Sequence, residues 1–190
     1  MMARHLGLSV IRLWLMSAWI VLAGCAPYAR APRTYSVATT RIKVDLPERW
    51  IQFNPANPAM VITRDGLALE NIKISVTRTG KKLKGIERRY DPSMQPHDIA
   101  ELSLALLDAL DETNDFKVEK VESALVAAHD GYHATATYVD DQGLAKRLQL
   151  YGAMIGDCVC EFSYVATEPV YYEKYWPVFE KVLASATVKR

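Results

Sequence analysis

Three runs that read as strands follow one another directly in the second half of this sequence. Tyr132, Ala134, Ala136 and Tyr138 alternate with His133, Thr135 and Thr137. An Asp140-Asp141-Gln142-Gly143 turn leads into the run 144–155, and a Gly156-Asp157 turn leads into the run 158–166. A period of two belongs to a strand with two unlike faces. Tight turns between such runs join antiparallel neighbours, so this region predicts a β-meander. A further strand is expected between Phe116 and Ala128.

Upstream, Ile42, Val44 and Leu46 alternate with Arg41, Lys43 and Asp45. Trp50-Ile51-Gln52-Phe53 and residues 59–63 read as short strands around the turn cluster Asn54-Pro55-Ala56-Asn57-Pro58. Ile72, Ile74 and Val76 then alternate with Asn71, Lys73, Ser75 and Thr77, which describes a strand with one covered face and one more polar face. Two stretches change period. After Pro96, the residues Ile99, Leu102, Ala105, Leu106, Ala109 and Leu110 recur at helical spacing, with Asp98 and Glu101 near the positive end. From about Pro169 to Ser185, Tyr172, Tyr175, Phe179, Val182 and Leu183 form an apolar stripe. Thr167 is available there as a cap, and Pro177 fits only in a first turn or at a kink. Strands, helix, strands, helix predict one α+β domain over 40–190, a mostly antiparallel sheet flanked by helices.

The amino-terminal end has a different character. Arg4 and Arg12 precede the run 13–25, which is apolar and uncharged, the layout of an export signal. That run is about a dozen residues, whereas spanning a bilayer takes roughly 20. Leu22-Ala23-Gly24-Cys25 resembles the lipobox of bacterial lipoproteins. The resemblance implies removal of residues 1–24 and a diacylglycerol thioether on Cys25, with a further acyl chain on the new amino group in many bacteria. Two or three chains anchor a protein almost permanently, where one holds only marginally. Ala26 stands where an aspartate retains enterobacterial lipoproteins in the inner membrane, so a Gram-negative host favours the periplasmic face of the outer membrane. Residues 25–39, with Pro27 and Pro32, read as the lipidated end and a flexible tether.

Lys and Arg total 23; without Arg4 and Arg12 they are 21 against 22 Asp and Glu, so the processed chain is near neutral. A nucleic-acid partner would need a basic excess, and none is expected. Charge is nevertheless uneven. Arg78, Lys81, Lys82, Lys84, Arg88 and Arg89 stand against the single acid Glu87 in a segment read as a loop. It is either a solvated connection or a contact for anionic head groups or an acidic partner.

Cys158-Val159-Cys160 is the most reactive chemistry on offer. On one strand face the two Cα atoms are about 6.6 Å apart at 3.3 Å per residue, the far edge of disulfide geometry. Packed thiols are therefore favoured over a strained disulfide or redox work. His97, His129 and His133 show no ligand spacing with these cysteines, and neither metal nor cofactor is expected. No nucleophile elbow, phosphate-binding glycine loop or His-Glu-x-x-His motif is present. Tyr171, Tyr172, Tyr175 and Trp176 read chiefly as core, with a ligand groove as the alternative.

Trp50 with Asn54-Pro55, the stretch 63–69 with Ile72, the helix at Pro96 and the closing run 175–183 together resemble the Mog1/PsbP/DcrB-like group of small α/β/α sandwich proteins. The resemblance implies a binding or accessory protein without a shared catalytic site. The expected role is thus a noncatalytic envelope lipoprotein, held to a membrane by its lipid and binding another envelope protein. A carrier of a small apolar or amphipathic ligand is the alternative, and a thiol-dependent enzyme a weaker one.

Overall fold

The predicted meander forms, with the strand expected between Phe116 and Ala128 on its outer side and four further strands continuing the sheet from the other. The computed structural model describes residues 27–110 and 113–189. The expected signal 1–24 and Cys25 lie outside them. Along the chain run β1 (Tyr28–Arg30), β2 (Thr34–Val37), β3 (Ile42–Asp45), β4 (Ile51–Phe53), β5 (Met60–Thr63), β6 (Glu70–Arg78) and α1 (Pro96–Leu110). Then come β7 (Asn114–Val126), β8 (His129–Val139), β9 (Ala145–Ile155), β10 (Cys158–Thr167), α2 (Val170–Ala184) and β11 (Thr187–Val188). No helix among the described residues is long and apolar enough to cross a membrane.

Eight strands make the main sheet in the order β1-β4-β5-β6-β10-β9-β8-β7, and β11-β3-β2 make a second small sheet. Every pairing is antiparallel. On one face, Cys160, Phe162 and Tyr164 of β10 stand opposite Val76, Ile74 and Ile72 of β6. There they meet Tyr175, Phe179 and Val182 of α2 and Ile42 and Val44 of β3 in one core. On the other face, Tyr132, Ala134, Ala136, Leu148 and Leu150 lie beneath Ile99 and Leu102 of α1. The helices are offset: α1 rests on β7, β8 and β9, whereas α2 rests on β10 and β6. On the α1 side, β6 and β10 are therefore left without a helix, where the alternation had placed Lys73, Ser75 and Thr77.

Three expectations need correction, and one turn carries no signal in the sequence. The flexible tether over 25–39 is, in its described part, two docked strands. β1 pairs with β4 and β2 with β3, because Tyr28 packs on Phe53 at 5.4 Å between ring centres and the Tyr35 hydroxyl donates to Pro58 O at 3.1 Å. Pro27 and Pro32 flank the three residues of an edge strand, a place where proline removes no ladder bond. Thr167 does not cap α2; its Oγ1 accepts a bond of 2.8 Å from Lys146 Nζ instead, and Pro169 occupies the cap position without a side-chain bond. Pro177 lies in the body of α2 rather than its first turn. It is exposed, as is Glu173 one turn earlier, so the carbonyl that Pro177 cannot serve faces solvent. Finally, β7 and β8 are joined by Ala127 and Ala128, both at positive φ (48° and 65°), a turn that no glycine or asparagine announces.

Candidate functional site

The uncovered half of the α1 face is a groove of about 420 Å³, lined by lysines and hydroxyls together with Leu106, Leu107 and Leu150. Its floor follows from strand periodicity. Lys73, Ser75 and Thr77 point to this side of β6, and the register sets Glu161 opposite Ser75 and Ser163 opposite Lys73. Ser103 and Leu107 of α1 form one wall, and Lys81 and Lys84 from the segment 79–95 stand at another.

That segment is fixed in place. Leu83 and Tyr90 are buried in the α1 core, and Gly80 N donates to Tyr90 O at 2.8 Å. Ser103 Oγ donates to Ile99 O at 2.8 Å, which leaves the Tyr90 hydroxyl as donor in its 2.8 Å bond to Ser103 Oγ. Glu161 is held in turn by the Tyr132 hydroxyl, which donates to Oε1 at 2.7 Å. To reach it, the Tyr132 ring crosses directly over Gly152, where an added Cβ would stand 2.5 Å from the ring. Burial, and then the Glu161 charge, push both tyrosine hydroxyls above their ordinary pKa. They stay protonated donors at physiological pH. Among the described residues none of Lys73, Lys81 and Lys84 has a carboxylate within ion-pair distance. Three ammonium groups, one pinned carboxylate and several hydroxyls can hold a polar, net-acidic extended segment.

The structure divides the basic run 78–89. Lys81 and Lys84 reach the groove; Lys82 lines a shallow neighbouring depression; Arg78 pairs with Asp157 at 2.9 Å; Arg89 Nη1 donates to Gly80 O at 3.3 Å; and Arg88 is exposed. Lys73 was legible as a polar-face residue but not as a partner of the loop. Glu161, Ser103 and Tyr90 carried no motif, since only the register and the α1 packing bring them together.

The remaining candidates are structural or apart. Cys158 and Cys160 are buried free thiols. Burial pushes the Cys160 thiol up to about 12 and, with Asp157 bonding, also raises Cys158, which makes both poor nucleophiles. His97 pairs with Glu101 at 3.2 Å, and His129 Nδ1 meets Ala127 O at 2.9 Å. His133 lies between Glu122 (3.0 Å) and Gln149 (2.6 Å). Among the described residues no three His, Cys, Asp or Glu side chains are grouped as a metal would require. Tyr175 is buried, and Tyr171, Tyr172 and Trp176 are half-buried against the same core. A fully buried carboxylate, Glu70, accepts bonds from Thr63 Oγ1 (3.0 Å) and Asp65 N (2.9 Å) and thereby ties the β5–β6 turn. Burial is the main reason its pKa is raised.

No protein-family profile and no curated protein matches the sequence. Solved structures do match in fold. The cyanobacterial PsbP (CyanoP) of Synechocystis sp. PCC 6803 superposes with a TM-score of 0.56 at 14% identity, over 88% of this chain and 95% of that chain. The Saccharomyces cerevisiae Ran-binding protein Mog1p superposes with a TM-score of 0.55 at 10% identity, over 84% of this chain and 96% of that chain. The mostly antiparallel α+β sandwich expected from the sequence is therefore the Mog1/PsbP-like fold.

Proposed function

We propose that a chain with the Mog1/PsbP-like fold, an export signal and a lipobox serves as a noncatalytic accessory lipoprotein of the bacterial envelope. It binds an acidic, extended segment of another envelope protein along the β6–β10 groove. One observation carries this reading: Lys73 from β6 and Lys81 and Lys84 from a segment pinned by Leu83 and Tyr90 converge on one groove. Opposite charge there sets orientation and encounter more than raw affinity. The fold is shared with a protein named as Ran-binding, which supports a protein partner. The anchor is the lipid on Cys25, and the outer membrane is the favoured site in a Gram-negative host.

The carrier alternative needs room between sheet and helix. That space is occupied on the α2 side by Tyr164 and Phe179, whose rings stack at 5.5 Å. A thiol enzyme would need an ionisable cysteine, and Cys160 is held neutral by burial.

The test is photo-crosslinking in the native cell from position 77, at the groove. The expected result is one dominant adduct that disappears in the Lys73→Glu, Lys81→Glu, Lys84→Glu variant while membrane fractionation is unchanged. An adduct equally strong in the charge-reversed protein contradicts the proposal.

A further inference from the structure

We infer that the β1–β4 end of the main sheet is a membrane-docking surface, seated on anionic phospholipid head groups next to the lipid on Cys25. The inference rests on the lipid-anchor reading and says how the anchored domain is oriented.

Three observations converge on this end. The first is where the anchor must be. Because β1 is paired to β4 and does not belong to a free tether, Cys25 is three positions from a docked residue, Tyr28. At no more than 3.6 Å per residue, the Cα of Cys25 is held within about 11 Å of that of Tyr28, at this edge. The second is apolar exposure. Tyr28 is 48% and Ile51 42% exposed, two of the five large apolar side chains so exposed among the described residues. The register pairs Arg30 with Ile51 and Tyr28 with Phe53, so all four share one face.

The third is charge. Arg30, Arg33 and Arg49 surround one depression with Glu48 as its acid, and Arg30, Arg49 and Arg64 surround the adjoining one with Tyr28 and Ile51. The nearby Asp65 is engaged by Lys174 at 2.6 Å. Arg64 donates to the carbonyl of Arg49, which fixes the two segments to each other. An aromatic ring and an isoleucine ringed by arginines suit the head-group layer, where amphipathic side chains put carbon inward and charge outward. Anionic lipid supplies the complement. The partner groove stays in water under this arrangement, since β6 and β10 stand three and four strands from β1, about 14 and 19 Å at 4.8 Å per strand.

The experiment uses the processed protein purified from its host membrane and reconstituted in phosphatidylglycerol-rich or in pure phosphatidylcholine vesicles. Hydroxyl-radical labelling of Tyr28 and amide hydrogen exchange over residues 28–33 and 49–53 are read in both. The expected result is severalfold protection of this edge in anionic vesicles only, lost at high salt and in the Arg30→Glu, Arg33→Glu, Arg49→Glu variant. An Arg→Gln triple variant, with its melting temperature checked, serves as the milder control and loses part of the protection. Equal labelling in both vesicles, or protection confined to residues 78–89, overturns the inference. The anchor is scored separately by intact mass. A protein that carries no lipid refutes the anchor alone, and adding vesicles to it then tests the surface with the same outcomes.

Discussion

Ala128 is exposed and sits at φ 65°, where the Cβ of an L-residue is crowded by backbone at a cost of about 1–2 kcal/mol. Two-residue hairpins of this kind favour glycine at that position. Val126 and His129 pair across the turn, so the strands hold the alanines there. Ala128→Gly is expected to raise stability by about 0.5–1 kcal/mol, the relief of strain less the added freedom of the unfolded chain. Chemical denaturation checks the sign, and a destabilised variant refutes it. Gly152 presents the opposite case. Its missing Cβ is the space that the Tyr132 ring occupies, so Gly152→Ala is expected to cost about 1–3 kcal/mol by overpacking. It should also displace the hydroxyl from Glu161, visible as a lowered tyrosine pKa in ultraviolet titration. Unchanged melting and titration would show that the ring moves freely.

Among the elements, the difference between β1 and a tether is instructive. Ala-Pro-Tyr-Ala-Arg-Ala-Pro lacks any run of alternating residues long enough to read as a strand, and a three-residue strand has little propensity of its own. What makes it a strand is Phe53, which offers Tyr28 a surface, and Trp50, whose carbonyl accepts from Ala31 N at 3.0 Å. Likewise α2 tolerates Pro177 because its apolar stripe is intact on the other side: Tyr175, Phe179 and Val182 are buried. Trp50 meets the Tyr175 ring edge-on at 5.3 Å. The Tyr164 hydroxyl bonds the carbonyls of Tyr171 and Tyr172 at 2.9 and 3.0 Å, docking the start of the helix on the sheet in place of a side-chain cap.

For the molecule as a whole, Cys158 and Cys160 report on cooperativity. Both lie on the face of β10 that α2 and the small sheet cover, and Cys160 is fully buried. Since Cys25 is blocked if lipidated, a thiol reagent has only these two targets. At pH 8 neither is expected to react with the native protein, and both should react together along the global unfolding curve in denaturant. Labelling in water at a rate independent of denaturant would mean that α2 opens by itself.

The periods of the sequence were enough to state that the chain builds a mostly antiparallel sheet with two helices, and which residues of β6, β8 and β10 face inward, because alternation and helical spacing are local properties of the chain. The polar face of β6 was legible for the same reason. The groove was not, because it depends on α1 lying over β7–β9 instead of centrally and on Leu83 and Tyr90 drawing the basic segment down onto the core. The docked β1, the Tyr132–Gly152–Glu161 row and the arginine-ringed edge also depend on contacts between residues far apart in the chain. Local pattern decides which elements form; only packing among distant residues decides which faces they leave open.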